Sequence, residues 1–415
     1  MIKPLRALNF TQFLSAFADN MIILVAIAII HDQHLPLKYI GFVQAAFLVA
    51  YIVLAPVVGT FAERNPKSQV LLLGNLLKAL SAVCFLAGLH PVPSYAVTGI
   101  ACAFYGPAKY GILPDLTNSE EELLKANAKL EGYTIVAILA GTLAGGLAVN
   151  SFGIATSLCI CLGLYLVSFA VTFAIPRFEG NRRLRYAREA ARFFSVDCGT
   201  LFRHPVTRFA LIGTGAFWMA AVVLRTAAFA WIPLAYSSVL IAGKEETQIS
   251  MIIASTAIGI IIGALSAPYL VSVRNYFRSY LFGLLMIPIL LAFPYVHNLY
   301  VTVIFLLVVG FFGGVFVVPM NSVLQDRGKP LIGTGKVIAV QNFVENSLMA
   351  VGTGLYVLTT SIVPGWVGAD SSGANLDFIS CAIFGMGIIL AGFVAVLRWH
   401  VLVLRNEGKQ ADSSL

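Results

Sequence analysis

The sequence of 415 residues is 59% hydrophobic and only 11% charged, whereas an average soluble domain contains about 25% charged residues. This composition excludes an ordinary soluble domain and indicates a chain that lies largely within a membrane. The net charge of +8 is therefore informative through the location of the basic residues, and we expect no nucleic-acid partner.

Twelve apolar segments are each long enough for a membrane-spanning helix, which needs about 20 apolar residues. The first of them is longer than the apolar part of a signal peptide, so it is interpreted as a span and not as a cleavable leader. The predicted fold class is an all-α membrane protein with twelve transmembrane helices. The spans are predicted at residues 8–31, 38–62, 68–90, 92–113, 128–151, 153–175, 206–235, 247–271, 276–296, 298–322, 333–362 and 376–404.

The basic residues are distributed unevenly between the two sides of the membrane. If the N-terminus lies in the cytoplasm, 22 of the 27 Lys and Arg residues fall in cytoplasmic segments or helix ends, and only Lys38 and Lys244 fall outside. The other three, Lys78, Lys109 and Arg225, lie within spans. Because cytoplasmic loops carry an excess of basic residues, both termini are predicted to be cytoplasmic.

An internal repeat divides the spans into two sets of six. GPAKYGILPDL followed by KANAKLEGYTIVAIL matches VVPMNSVLQDR followed by GKVIAVQNFVENSLM, so that Pro107 pairs with Pro319 and Asp115 with Asp326. A parallel repeat of six-span halves is the layout of major facilitator transporters. The predicted organisation is an N-terminal six-helix bundle at 1–175, a basic cytoplasmic linker at 176–205, a C-terminal six-helix bundle at 206–405 and a cytoplasmic tail at 406–415.

The linker reads PRFEGNRRLRYAREAARFFSVDCGTLFRHP and is rich in arginine. Its Arg-rich face predicts a helix that lies on the anionic inner leaflet. The alternative is a linker whose basic residues serve only to fix the topology.

The loop after the second span carries a conformational motif. GTFAERNPK contains Gly59, Glu63, Arg64 and Lys67, and it resembles the G-x-x-x-D-R-x-G-R motif of the major facilitator superfamily. Glu replaces Asp here, and the second Gly is absent, so the resemblance leaves the charge network at the inner gate and any proton coupling open.

Ionisable residues within spans are the strongest candidates for a substrate site, because each costs about 2.5–3.5 kcal/mol at a helix centre. Asp19, followed by Asn20, lies in the middle of span one, and Lys109 lies near the inner end of span four. Arg225 lies on span seven, about six residues, or roughly 9 Å, nearer the outside than Asp19. In the major facilitator fold, spans one, four and seven line the central cavity. The resemblance therefore implies a ladder of cation, anion and cation.

A phosphate would suit this ladder, because Arg binds phosphate with two hydrogen bonds and Lys acts as a point charge. Asp19 would pair with Arg225 or Lys109, or would meet a substrate ammonium. The alternative is an ion pair that only holds helices together.

Three further polar positions have weaker interpretations. Gln341 and Glu345 share a face of span eleven and either line the cavity or hold helices together. Glu131 is interpreted as a helix N-terminal charge near the membrane interface. For Lys78, snorkelling or packing is expected in preference to substrate contact.

Several segments along nearly the whole chain resemble the bacterial lysophospholipid transporters. The resemblance implies a flippase-like carrier of the bacterial inner membrane that moves lysophosphatidylethanolamine and related lysolipids from the outer to the inner leaflet by alternating access. It also implies a partner, an acyl-ACP synthetase/acyltransferase, that restores the second acyl chain; we expect the carrier itself to be a monomer. The matching segments are QFLSAFADN, YIVLAPVVG, YGPAKYGIL, AILAGTLAGG, VVPMNSVLQDRGK and GKVIAVQNFVENS.

Two other functions are compatible with parts of the sequence, and a third is not expected. One is an exporter of drugs or small metabolites in the same superfamily, and another is a lipid receptor or scaffold that transports nothing. A membrane enzyme is not expected, because no H-x-x-x-x-D pair occurs and PLIGTGKV at 330–337 lacks two residues of a phosphate-binding loop. The six histidines show no metal-ligand spacing and most cysteines lie in apolar runs, so no metal, cofactor or disulfide framework is expected.

Overall fold

The computed structural model describes residues 4–35, 38–239, 245–362 and 376–413, and within these ranges the regular structure is entirely helical. Besides α-helices, the structure contains short π-helical turns at Phe193–Cys198 and Leu358–Ile362, and 3-10 turns at Val273–Ser279 and Phe293–Tyr295. The α-helices in chain order are α1 Pro4–Asp32, α2 Lys38–Arg64, α3 Lys67–Leu86, α4 Pro91–Gly111, α5 Leu113–Leu116, α6 Glu120–Thr172, α7 Tyr186–Arg192, α8 Gly199–Arg203, α9 Pro205–Ala235, α10 Glu245–Leu270, α11 Tyr280–Ala292, α12 Leu299–Ile332, α13 Thr334–Val357 and α14 Leu376–Ser413.

Nine helices in the described part of the chain are long and apolar enough to cross a membrane. One of them, α6, has 53 residues, and at 1.5 Å per residue it is about 80 Å long, more than twice the hydrocarbon thickness of about 30 Å. It is kinked at Gly153, where φ is 79°, a conformation that glycine adopts without strain. With α6 counted as two spans, the described helices provide ten candidate crossings; the predicted number of twelve requires α4 and α13 as well, which are not among these nine helices.

The start of α6 lies eight residues before the span predicted at 128–151. Ser119 caps the helix, because its side chain accepts a hydrogen bond from the backbone N–H of Glu122 at 3.1 Å. The first turn consists of Glu120, Glu121 and Glu122, and their negative charges are favourable at the positive end of the helix dipole. The polar segment outside the predicted span is therefore helical as well.

The contacts divide the chain into two compact units. Unit 1 comprises Met1–Arg203 together with Leu324–Phe343, and unit 2 comprises His204–Val323 together with Val344–Leu415. The linker and the segment where α12 is followed by α13 thus pack with the first half of the chain, whereas the repeat in the sequence assigns residues 324–343 to the second half.

In unit 1, the two arms of the kinked α6 pack along α1. A Cβ atom at Gly141 would lie 2.3 Å from the carbonyl oxygen of Phe17, and one at Gly145 would lie 3.0 Å from the Cα of Met21. Glycine is thus required at Gly141 for the two backbones to approach this closely. The second arm brings Tyr165, which is fully buried, to the same side of the core.

In unit 2, α10 and α12 cross through two pairs of glycines spaced four residues apart. A Cβ at Gly259 or Gly263 would lie 2.0 Å from a carbonyl oxygen of α12. A Cβ at Gly310 would lie 2.0 Å, and one at Gly314 2.4 Å, from a carbonyl oxygen of α10. Small residues at this spacing let transmembrane helices pack backbone against backbone.

We expect Gly263→Ala to destabilise the protein, because the new methyl group would overlap the carbonyl oxygen of Phe311. Overpacking of this kind costs about 1–3 kcal/mol, so the melting temperature in detergent should fall by several degrees. Gly354→Ala in α13 is the matched control, since its Cβ would meet no atom within 4 Å, and alanine favours a helix by about 1 kcal/mol over glycine. Equal melting temperatures for the two variants would contradict the close crossing.

Candidate functional site

Asp19 of α1 forms an ion pair with Lys78 of α3. The Lys78 Nζ lies 2.6 Å from the Asp19 Oδ2, and it also donates to the Ser15 Oγ at 2.7 Å. The Lys78 side chain is 2% exposed and that of Asp19 is 18% exposed. Burial of two charges is unfavourable unless their attraction and further hydrogen bonds compensate it, and both compensations are present here.

Two other helices contribute to the same group. The hydroxyl of Tyr165 in α6 donates to the Asp19 Oδ1 at 3.0 Å, and the Cys102 thiol in α4 donates to Oδ2 at 3.5 Å. The ring of Tyr105, also in α4, lies 4.5 Å below the Lys78 ammonium, a cation–π arrangement. Tyr165, Cys102 and Tyr105 thus form one polar group with Asp19, Lys78 and Ser15.

Of the two alternatives expected for Lys78, snorkelling is wrong and packing agrees with the structure, because its ammonium points into unit 1 and is almost inaccessible to solvent. The predicted spans contain a signal for this pairing. Asp19 lies 11 residues after the start of the span at 8–31, and Lys78 lies 10 residues after the start of the span at 68–90. Both spans begin on the same side, so the two residues differ in depth by only about 1.5 Å.

Lys109 belongs to a second polar group of unit 1. It is buried near the end of α4, with its Nζ 4.2 Å from the ring centre of Tyr110. The Tyr110 hydroxyl donates to the Glu131 Oε1 at 2.6 Å. The interpretation of Glu131 as a helix N-terminal charge is wrong, because α6 begins at Glu120 and Glu131 is a buried residue three turns later.

The other predicted site residues lie in different surroundings. The Asn20 side chain donates to the carbonyl oxygen of Ala16 in its own helix at 2.8 Å. Arg225 lies in α9 of unit 2 with an exposed side chain. Gln341 of unit 1 and Glu345 of unit 2 are buried one turn apart in α13.

The loop motif contacts the start of α13 within unit 1. A Cβ at Gly59 would lie 2.7 Å from the Cβ of Ala339, so glycine allows α2 to approach α13. The Glu63 carboxylate accepts a hydrogen bond from the backbone N–H of Gly335 in the first turn of α13. Gly333, just before this helix, has φ of 87°, which favours glycine. Glu63 therefore satisfies one of the free N–H groups of a helix start.

Arg64, one of the two basic residues of the motif, contacts the linker. The Arg64 Nη1 donates to the carbonyl oxygen of Leu184 at 2.7 Å, and its guanidinium lies 4.7 Å from the ring centre of Tyr186. The same Tyr186 ring stacks on Phe61 of α2 at 6.2 Å. The linker is thereby attached to α2 through aromatic as well as polar contacts.

Asp115 accepts hydrogen bonds from two lysines. Its carboxylate lies 2.9 Å from the Lys67 Nζ and 2.8 Å from the Lys329 Nζ. Burial alone would raise the pKa of this carboxyl, but the hydrogen bonds from Lys329 and Lys67 outweigh it and lower the pKa below its ordinary value. Asp115 thus connects α3 to the end of α12 within unit 1.

The linker holds a further buried cation. Lys336 in the first turn of α13 pairs with Glu189 of α7, and its Nζ lies 3.3 Å from the Asp197 Oδ2 in the following π-helical turn. The hydrogen bond from Lys336 lowers the pKa of Glu189, whereas burial raises the pKa of Asp197. The two acidic side chains face inward, whereas all seven linker arginines are exposed: Arg177, Arg182, Arg183, Arg185, Arg188, Arg192 and Arg203.

The sequence pattern of the Major Facilitator Superfamily matches residues 8–353 of this chain. The chain belongs to the Major Facilitator Superfamily. This membership confirms the predicted all-α membrane fold of the major facilitator type.

Relatives with a shared name support the narrower resemblance. Lysophospholipid transporter LplT of Photorhabdus laumondii subsp. laumondii is 35% identical over 364 residues, which cover 87% of this chain and 90% of that protein. The protein of the same name from Klebsiella pneumoniae subsp. pneumoniae is 38% identical over 363 residues, with 87% and 89% covered. The predicted resemblance to the lysophospholipid transporters is thus confirmed.

A solved structure shows the same fold at low sequence identity. The crystal structure of the human organic anion transporter MFSD10 (TETRAN) has a TM-score of 0.71, covers 94% of this chain and 99% of its own chain, and is 14% identical. At this identity the similarity concerns only the fold, which is that of a major facilitator transporter.

We expect Asp115→Ala to lower the stability of the protein. Hydrogen bonds to a charged group contribute about 1.5–3 kcal/mol, and this carboxylate accepts two. Because its pKa is lowered, the contribution is complete at neutral pH and disappears only as the pH falls through the lowered pKa. Thermal denaturation in detergent at pH 7 measures the effect.

Glu120→Ala is the matched control for this variant. Glu120 pairs with Arg327 at 3.3 Å, and the two side chains are 43% and 54% exposed. Exposed ion pairs contribute at most about 1 kcal/mol, and Arg327 keeps Asp326 as a partner at 3.2 Å. If Asp115→Ala melts no lower than Glu120→Ala, the two lysines do not stabilise unit 1 through Asp115.

Proposed function

We propose that this protein moves lysophospholipids across the bacterial inner membrane by alternating access. The observation that carries the proposal is the Asp19 carboxylate, which lies in the middle of a membrane-spanning helix and keeps 18% of its side chain exposed. A charged group at this depth marks a substrate pathway when one side of it is accessible. The names of the relatives support a lysophospholipid as the substrate.

The chemistry of a lysophospholipid suits the charged residues of the spans. The molecule has one phosphate, one acyl chain and, in lysophosphatidylethanolamine, one ammonium. The exposed guanidinium of Arg225 binds the phosphate with paired hydrogen bonds, and Lys109 adds a point charge. Asp19 accepts a hydrogen bond from the ammonium. This assignment gives each charged group of the head group a partner of opposite sign.

The contacts around the start of α13 are proposed to keep the cytoplasmic side closed. They join Glu63 to Gly335, Asp115 to Lys329 and the linker to Lys336. In each of them a residue of 324–343, which the repeat assigns to the second half of the chain, contacts a residue of the first half or of the linker. We propose that these contacts break when the carrier opens inward.

The proposed orientation places both termini and the linker in the cytoplasm. It rests on the uneven distribution of the 27 basic residues and on the seven exposed arginines of the linker, which suit the anionic inner leaflet. We propose transport from the outer to the inner leaflet, where an acyl-ACP synthetase/acyltransferase adds the second chain.

The transport proposal predicts that the protein speeds the loss of labelled lysophosphatidylethanolamine from one leaflet of proteoliposomes. Arg225→Ala should slow this movement about tenfold or more, because hydrogen bonds to a charged group contribute about 1.5–3 kcal/mol. Thr226→Ala is the control, since Thr226 is the next residue, is also exposed and carries no charge. A rate equal to that of empty liposomes for the unaltered protein would exclude lysolipid transport and favour an exporter of other compounds.

The direction of transport and the partner are tested together. Liposomes enclosing the acyltransferase and acyl-ACP carry the protein with its termini in the lumen, as checked by protease access to a C-terminal tag. Lysolipid added outside should become diacyl phospholipid at a rate that depends on the protein, because only inner-leaflet lysolipid meets the enzyme. Equal rates with and without the protein would overturn the proposed direction and partner.

A further inference from the structure

The buried Lys78 has no role in the transport scheme proposed above. Its side chain is 2% exposed, so it does not reach a substrate from its place in the structure. A lysine in the middle of a membrane-spanning helix costs about 2.5–3.5 kcal/mol on insertion scales. An apolar residue of similar volume would fill the same space, and such replacements of buried ion pairs are often neutral or stabilising. Packing alone therefore does not account for an ammonium at this position.

The environment of Asp19 indicates what the ammonium does. A carboxylate has about four acceptor positions on its two oxygens. Lys78 and Cys102 donate to Oδ2 and Tyr165 donates to Oδ1, so three positions are occupied by donors from α3, α4 and α6. The carboxylate is thus fixed from three sides, and about one acceptor position remains for a further donor. The 18% of the side chain that is exposed makes it accessible to one.

We propose that Lys78 is a positioning residue that balances the charge of Asp19 and directs the free acceptor position of its carboxylate toward the ammonium of the substrate. The inference rests on the proposed function, in which Asp19 binds that ammonium. Lys78 stays in place throughout and acts on the substrate only through Asp19. It therefore affects the preference for an ethanolamine over a glycerol head group and has little effect on the phosphate.

The test compares four proteins in proteoliposomes: the unaltered protein, Asp19→Asn, Lys78→Met and the double variant. Each is assayed with lysophosphatidylethanolamine and with lysophosphatidylglycerol, which has no ammonium. Each single variant should raise the lysophosphatidylethanolamine content needed for the half-maximal rate about tenfold, as expected for loss of one charged hydrogen bond. The maximal rates and the values for lysophosphatidylglycerol should change less than about twofold, because the phosphate contacts are intact.

The double variant decides whether Lys78 acts through Asp19. Residues that act as one unit have non-additive effects, so the double variant should match Asp19→Asn and should not be weaker still. If the two effects multiply, or if Lys78→Met leaves the ratio of the two substrates unchanged, the inference is overturned. A loss that is equal for both substrates indicates a structural role for Lys78 and overturns it as well.

Two further variants separate positioning from folding. Lys78→Met leaves a buried carboxylate without its counter-ion, which reduces folding; Tyr165→Phe removes only the donor to Oδ1. It should shift the substrate ratio in the same direction by about two- to threefold, since a neutral hydrogen bond contributes about 0.5–1.5 kcal/mol. An unchanged ratio in Tyr165→Phe would overturn the inference even if Lys78→Met failed to fold. Ser81→Ala, which removes a buried hydroxyl of α3 that bonds to Ser94 and Thr98, should leave the ratio unchanged.

The unaltered protein distinguishes this inference from the proposed function. If it moves neither lysolipid faster than empty liposomes, the transport proposal fails and the inference fails with it. If it moves both and the variants keep the same substrate ratio, only the role of Lys78 is overturned.

Discussion

The ion pair between Asp19 and Lys78 is the constraint on which the arrangement of unit 1 depends. A carboxylate in the middle of a membrane needs donors close by, because lipid offers none. Its donors come from α3, α4 and the second arm of α6, so these elements must all approach α1 at one depth. The kink of α6 at Gly153 and the close contact of Gly141 with Phe17 allow both arms of that helix to reach α1. The close helix contacts at these glycines therefore help to bring the hydrogen-bond donors within reach of the carboxylate in the membrane.

Burial separates two kinds of polar contact in this protein. The ammonium of Lys78 is almost completely inaccessible, whereas Lys329, which pairs with Asp115, is 45% exposed. Breaking a buried pair leaves an uncompensated charge in a medium of low dielectric constant. Breaking a pair in which one partner is exposed costs less, because water can solvate the partner that is released. A carrier that alternates between two states needs a substrate site that persists and contacts near the membrane surface that exchange. The Asp19–Lys78 pair meets the first need and the Lys329–Asp115 pair meets the second, whereas the Lys336–Glu189 pair, with side chains 8% and 11% exposed, does not follow this division.

The spans, the repeat and the sites of close helix approach can be predicted from the sequence, because each follows from a local pattern of apolar, proline or glycine residues. The sequence also places Asp19 in the middle of a helix. It does not show which helices are neighbours in the bundle. For that reason it left snorkelling and packing open for Lys78 and did not reveal the pairing with Asp19, although the two residues lie at matching depth. The role of Glu131 was missed for a different reason: Ser119 and three glutamates extend α6 beyond its apolar part. The contact of Lys336 with Glu189 joins residues 147 positions apart, and no local pattern reports such a pairing.

The basic residues on the proposed cytoplasmic side serve topology and structure together. Acidic residues contribute little to the orientation of membrane proteins, so Lys67, Lys329 and Lys336 count as topological signals even though each pairs with a carboxylate. Their acidic partners turn inward, and the linker arginines remain exposed. Pairing thus removes three positive charges from the electrostatics of the surface without weakening the signal that orients the chain. The seven linker arginines are therefore the charges that an anionic leaflet would attract. Among the lysines, Lys336 holds the start of α13 against the linker, and Lys67 and Lys329 hold Asp115. The basic residues of this side thus supply a proposed membrane contact through the linker arginines and proposed closing contacts through Lys329 of α12 and Lys336 of α13.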